Sequence, residues 1–265
     1  MDKIKGKLGV ILFGLLGLVT TANAALTDLG TGLVNDDTLN ITWMQDANLF
    51  KTLCDANDPI AVNLVPVDAA NSAAICANNG AMTWNDAELW MAALNAVSYL
   101  GHSDWRQPVT AQADASCESQ YAAAGGGFLE QRGGYNCTGS ELGNLFNVSL
   151  GNSNHTGTGA TGGTVGTGCY PNCFVNTAPF SNAQSFAYWS GSEYAPNTTN
   201  AWYFSANSGS QNLDLKNNLV LFIWPVRSGQ SVVAPVTPQN VPTLSIWGLG
   251  IMSLLLAFVA RRKAR

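Results

Sequence analysis

Apolar and polar positions alternate over short distances at the start and end of the chain's central part. Between them they follow a helical period. In "LTDLGTGLVNDDTLNITWMQDANLF" the apolar runs GLV and LNITW flank NDDT, whose Asn and Asp favour a turn, so the pattern predicts a β-hairpin. In "MTWNDAELWMAALNAVSYLG" the residues Ala87, Trp90, Met91, Leu94 and Val97 recur at helical spacing. Thr83 or Asn85 is placed to cap this helix, Asp86 and Glu88 suit its positive end, and Gly101 ends it. Near the C-terminal third, "AWYFSA", the region around "LDLK" and "LVLFIWPVR" predict three strands joined by turns. Residues 51 to 80, rich in Asn, Asp and Ala, are expected to form a loop closed by two cysteines. The Gly/Thr/Asn-rich tract 147 to 168 offers few apolar groups and reads as a surface loop.

Both ends carry longer apolar runs of a different kind. Lys3, Lys5 and Lys7 precede "LGVILFGLLGLVTT" and then Ala22-Asn23-Ala24, the layout of a secretory signal over residues 1–24. Residues 244–260 hold no charge and are followed by Arg261, Arg262, Lys263 and Arg265. Seventeen residues is the short end of what a membrane helix needs, and the basic 261–265 tail stays cytoplasmic, leaving the body outside. The intervening organisation is an exported domain over 25–230 and a linker over 231–243. About 200 residues suffice for one core.

Removing the ends changes the charge picture. Residues 25–240 carry 16 acidic and 5 basic side chains, a net charge of −11. Such a body lacks the clustered Lys and Arg that polyanions require, which excludes nucleic acid as a partner.

The last stretch, "VPTLSIWG" followed by an apolar run and "RRKAR", resembles the IPTL-CTERM sorting signal of bacterial envelopes. Pro242, Thr243, Leu244, Ser245, Trp247 and Gly248 match it, with Val241 in place of the first isoleucine. The resemblance implies Sec-type export, recognition by a membrane sorting enzyme of the exosortase type, and at least transient membrane attachment. The body resembles the Lcl C-terminal domain family in three ordered segments. They are "GLVNDDTLNITWMQDAN", "TWNDAELWMAALN…YLGHSDWRQP" and "PFSNAQSFAYWSGSEYAPNTTNAWYF…WPVRSG". This implies an α+β, C-type-lectin-like single domain, with Asp104, Trp105, Arg106, Pro108, Trp189, Trp202 and Arg227 as its structural motif residues. Gln107 stands where the family has leucine, and "TAQADASCE" replaces the Glu-Leu pair that should follow.

Asp104 and Arg106 flank Trp105, so on a strand they share one side and are placed to pair with each other or to reach backbone groups, and Arg227 is expected to meet Asp104 or Glu193. Six cysteines in an oxidising compartment imply three bridges, and sequence neighbours are expected to pair: Cys54–Cys76, Cys117–Cys137 and Cys169–Cys173. No metal site or cofactor is expected. "CYPNC" lacks a second ligand pair for zinc. "WND" (Trp84 to Asp86) has the letters of a lectin calcium strand, but it opens a helix and caps it. His102 and His155 lie near no nucleophile motif, so no catalytic set is expected. Aromatic residues and amides crowd the last third, and Tyr194 and Asn197 in the loop 192–200 are the candidate ligand contacts. The functional expectation is a non-catalytic binding or adhesion module for envelope glycans or matrix proteins. The alternatives are a structural matrix component and, less favoured, an extracellular hydrolase.

Overall fold

The computed structural model describes residues 26–62, 69–112, 114–117, 133–155, 168–217 and 219–232. The signal segment, the apolar run 244–260, the basic tail and the whole sorting motif lie outside the described residues. Among those described, no helix is long and apolar enough to cross a membrane.

In chain order, β1 (Leu26–Asp28) is followed by the expected hairpin, β2 (Leu33–Asp36) and β3 (Ile41–Met44). Its register pairs Leu33 with Met44 and Asp36 with Ile41. Asp36 makes the turn: its Oδ1 accepts the backbone N–H groups of Thr38 and Leu39, and Asn40 takes a φ of 51°. Its other oxygen accepts from Trp43 Nε1, so this fully buried carboxylate has partners on both sides.

The described residues within the stretch 51–80 expected as a loop are largely helical, forming α1 (Leu49–Asp55), α2 (Pro59–Val62) and α3 (Ala69–Ala77). Leu49, Phe50, Leu53 and Cys54 turn one short face inward, and the Cys54–Cys76 bridge ties α1 to α3. The apolar face is too brief to stand out from its Asn/Asp/Ala surroundings, and tertiary packing forms the helices instead.

The long helix is α4 (Trp84–Ala96), burying Trp84, Ala87, Trp90, Met91 and Leu94. Thr83 caps it: its Oγ1 accepts from Asp86 N at 3.2 Å and donates to Asp86 Oδ2 at 2.7 Å. Thr83→Ala is expected to cost about 1 kcal/mol in chemical denaturation. The helix stops at Ala96, earlier than Gly101. Ser98 and Leu100 adopt left-handed backbone angles, and Gly101 closes only the 3-10 turn that follows.

Beyond β4 (Gly134–Tyr135) and the single turn α5 (Glu141–Asn144) come a π-helical turn, Leu145–Ser149, and three ladder strands. These are β5 (Ala187–Glu193), β6 (Asn200–Ser205) and β7 (Ser210–Leu215), and β8 (Val226–Ser228) completes the count. The described part of the Gly/Thr/Asn tract before residue 156 packs onto the body. Leu150, Asn152 and Asn154 are buried there, and Asn152 Oδ1 accepts from Val175 and Asn176 N–H groups. Amide hydrogen bonding does the packing that apolar side chains would otherwise do. The strand expected over "LVLFIWPVR" is only partly a ladder. Leu221 bridges Met82 and Phe222 bridges Tyr188, while Pro225 has no N–H to continue the pairing.

Two antiparallel four-stranded sheets result, ordered β1-β2-β3-β8 and β4-β7-β6-β5. A shared aromatic core sits with them, with Trp43, Trp90, Trp189 and Trp224 all essentially inaccessible in it, while Trp202 is buried apart from it against Tyr194. All three bridges between neighbouring cysteines are present.

Candidate functional site

Tyr194 is not a surface residue. It is 4% exposed because it packs edge-on against Trp202, with ring centroids 6.0 Å apart. Trp189 is equally buried and donates its indole N–H to Met82 O, so the aromatic residues of the last third are chiefly core. Asn197 is exposed and accepts from Thr199 N and Oγ1, the work of a turn residue.

The loop that holds them does border an open cleft, through its next two residues. Thr198 and Thr199 face Asn85, Leu215, Lys216 and Asn217 across it. Asn85, the middle letter of the "WND" motif, donates from Nδ2 to Asn217 Oδ1. Lys216 Nζ lies 2.5 Å from Glu193 Oε1 and 4.6 Å from the centre of the Trp84 ring. A carboxylate and an aromatic face therefore occupy that ammonium. What the cleft presents to a ligand is amide and hydroxyl, not charge.

A second opening lies beside Phe186. Asn78, Asn79 and Gln184 stand at its rim, and Phe222, Leu219 and Val220 form its apolar side. It sits far along the fold from where the chain leaves the domain. Leu26 pairs opposite Asp36, and Ser231 N–H bonds Asn35 Oδ1 and Thr42 Oγ1, so both ends of the body gather at the Ile41 end of β3. At the Met44 end, Asp46 bridges Ser181 and Asn48 Nδ2 donates to Asn79 O.

Of the two carboxylates expected for Arg227, it is Asp104 that accepts from its Nε, at 2.9 Å, and Asp104 does not meet Arg106. Arg106 instead forms a two-pronged contact with Glu141, 2.7 Å at each prong, and Glu141 Oε2 also accepts from Val109 N at 2.7 Å. The backbone of Arg106 is bridged to Val226, which brings Asp104 to Arg227 and turns the Arg106 guanidinium toward α5. A Glu-Leu pair is therefore present beside the motif arginine, as Glu141-Leu142, reached only after the segment closed by Cys117–Cys137. The leucine position taken by Gln107 is buried, and its Nε2 donates to Glu88 at 2.6 Å. The Asp114, Cys117 and Cys137 side chains converge, but both thiols are joined in a disulfide and hold no lone thiolate for a metal.

Trp105 is buried, its indole donating to Tyr99 O, and Pro108 O accepts from Gly191 N and Ser190 Oγ. A family model for the Lcl C-terminal domain matches residues 32–227. The chain belongs to that family. Its motif residues thus serve to join β8, α5 and the segment after α4 in the Lcl C-terminal domain. An IPTL-CTERM motif matches residues 239–265, which marks an exported protein sorted to the cell envelope by a membrane enzyme that reads this tail. No curated protein and no solved structure matches the chain.

Two groups at this junction titrate away from their usual values. Arg227 holds the Asp104 carboxyl below the usual carboxylate range, and burial, with Arg227 nearby, lowers the His102 imidazole. In both cases the unfolded chain binds the proton more tightly. Stability therefore falls as pH drops below the ordinary histidine value, and falls again through the carboxylate range. Urea midpoints measured from pH 7 to pH 3 should show both losses. His102→Gln should remove the first and Asp104→Asn should flatten the second.

Proposed function

We propose that this Lcl C-terminal domain is a non-catalytic binding module of C-type-lectin-like fold. It is held with its body outside the cytoplasm by the 244–260 segment until the sorting enzyme acts, and it engages envelope glycans or matrix components. The observation that carries this reading is the open cleft where Asn85, Thr198, Thr199 and Asn217 converge around a lysine already neutralised by Glu193 and Trp84. Amides and hydroxyls suit hydroxyl-bearing ligands. The −11 charge of the body disfavours sulfated ones.

The test is a glycan array probed with the full chain, purified disulfide-bonded in a non-glycosidic detergent, with calcium and again with EDTA. Saturable binding that survives EDTA supports the module. Binding abolished by EDTA would assign the "WND" carboxylate a metal role in place of capping. A blank array from folded protein would transfer the reading to a structural component of matrix or surface layer.

A further inference from the structure

Of the two openings, the groove beside Phe186 has the more specific chemistry. The cleft of Asn85 and Lys216 offers no open aromatic face, since Trp84 is buried and already faces an ammonium. Phe186 is 48% exposed, and its ring meets that of Phe222 nearly at right angles, 88° at a centroid distance of 6.5 Å. That contact braces the phenyl while leaving much of it open. Its backbone is tied as well: Phe186 O accepts from Asn207 N.

Around the ring stand three carboxamides, those of Asn78, Asn79 and Gln184. Two of their contacts are long, Asn79 Nδ2 to Gln184 Oε1 at 3.3 Å and Asn78 Nδ2 to Ala81 O at 3.4 Å, while Gln184 Nε2 commits one donor to Asn182 O at 2.7 Å. Each therefore retains donors and acceptors. Val220 and Phe222 complete an apolar side, and the groove encloses about 530 Å³. No carboxylate, amine or imidazole lines it, in a body whose net charge is −11.

An uncharged groove excludes ligands that need a counter-charge, and a lining without carboxylates offers no calcium coordination. A braced aromatic face with amides at its edge suits a flat, apolar sugar face rimmed by hydroxyls. The volume holds a short oligosaccharide rather than a monosaccharide alone.

We propose that the Phe186 groove is a calcium-independent binding site for an uncharged oligosaccharide. The proposal rests on the binding-module reading and adds the site and the ligand class.

The probes are cello-, malto-, chito- and galacto-oligosaccharides, with sulfated heparin fragments as the anionic comparison. They are titrated into the full chain and into Phe186→Ala, Phe186→Tyr, Gln184→Ala and Thr199→Ala. Unchanged unfolding midpoints establish that each variant is folded. The expected result is binding of a neutral oligosaccharide, insensitive to EDTA and weakened about tenfold or more by Phe186→Ala. Phe186→Tyr should restore it. If Phe186→Ala binds like the parent while Thr199→Ala loses binding, the groove assignment falls and the binding module stands, with its site in the other cleft. Binding confined to heparin fragments overturns the ligand class. No binding by the folded parent overturns the groove and the glycan reading together.

Discussion

Trp224→Ala is expected to lower the unfolding free energy by about 4 kcal/mol and the melting temperature by roughly 10 °C. The indole is the hub of the core. Its ring lies 4.8 Å from Phe180 at 88°, 5.2 Å from Tyr188 and 5.5 Å from Trp43. Its Nε1 also donates to Met44 O at 2.9 Å, while Met44 N donates to Pro225 O. Truncation therefore leaves a cavity among rings too rigid to close it, and strips a buried carbonyl of its partner. Trp224→Phe separates these losses. It retains most of the ring packing, so about half the destabilisation should remain, part of it from the unpaired Met44 carbonyl. Chemical denaturation followed by tryptophan fluorescence measures both. A loss below about 1 kcal/mol for Trp224→Ala would contradict this account of the core.

The core rings also show why some of the fold could be read from the chain and some could not. The helix over 84–96 and the hairpin over 33–44 announce themselves because periodicity and punctuation agree: Thr83 caps one, Asp36 turns the other. The helices over 49–77 are hidden because their inward positions are four or five small patches, and a disulfide supplies what amphipathicity does not. Tyr194 misleads for a related reason. Its neighbours Ser192, Glu193 and Asn197 are polar, and only the pairing of β5 with β6 reveals Trp202 beneath it. The loop does border a cleft, through Thr198 and Thr199. Asn85, Lys216 and Asn217 join them from distant parts of the chain, and no spacing rule connects residue 85 to residue 217. Phe186 carried a weaker signal: an aromatic residue among Asn, Gln and Ser in "SNAQSF".

The charge pairs illustrate the same limit with a larger energetic consequence. Arg106→Ala is expected to cost about 3 kcal/mol, and Glu141→Ala a similar amount. The Glu141 side chain is only 11% exposed and receives three hydrogen bonds, two from the guanidinium and one from Val109 N. Removing the arginine leaves that carboxylate poorly solvated. Removing the glutamate orphans the guanidinium and the Val109 amide, and frees the segment closed by Cys117–Cys137 from the strand region it is pinned to. Because each variant abolishes the same contact, the double variant should cost well under the sum. A double-mutant cycle should give a coupling of about 1.5 kcal/mol or more. Arg106→Lys should recover little, since a single ammonium cannot reproduce a two-pronged contact. By contrast, the Asp104 side chain is 49% exposed, and its pair with Arg227 should contribute under about 1 kcal/mol. Equal costs for Asp104→Ala and Glu141→Ala would show that exposure does not set the strength of these pairs. A coupling near zero for Arg106 and Glu141 would show that the fork is not what holds α5 to the strand region around Arg106.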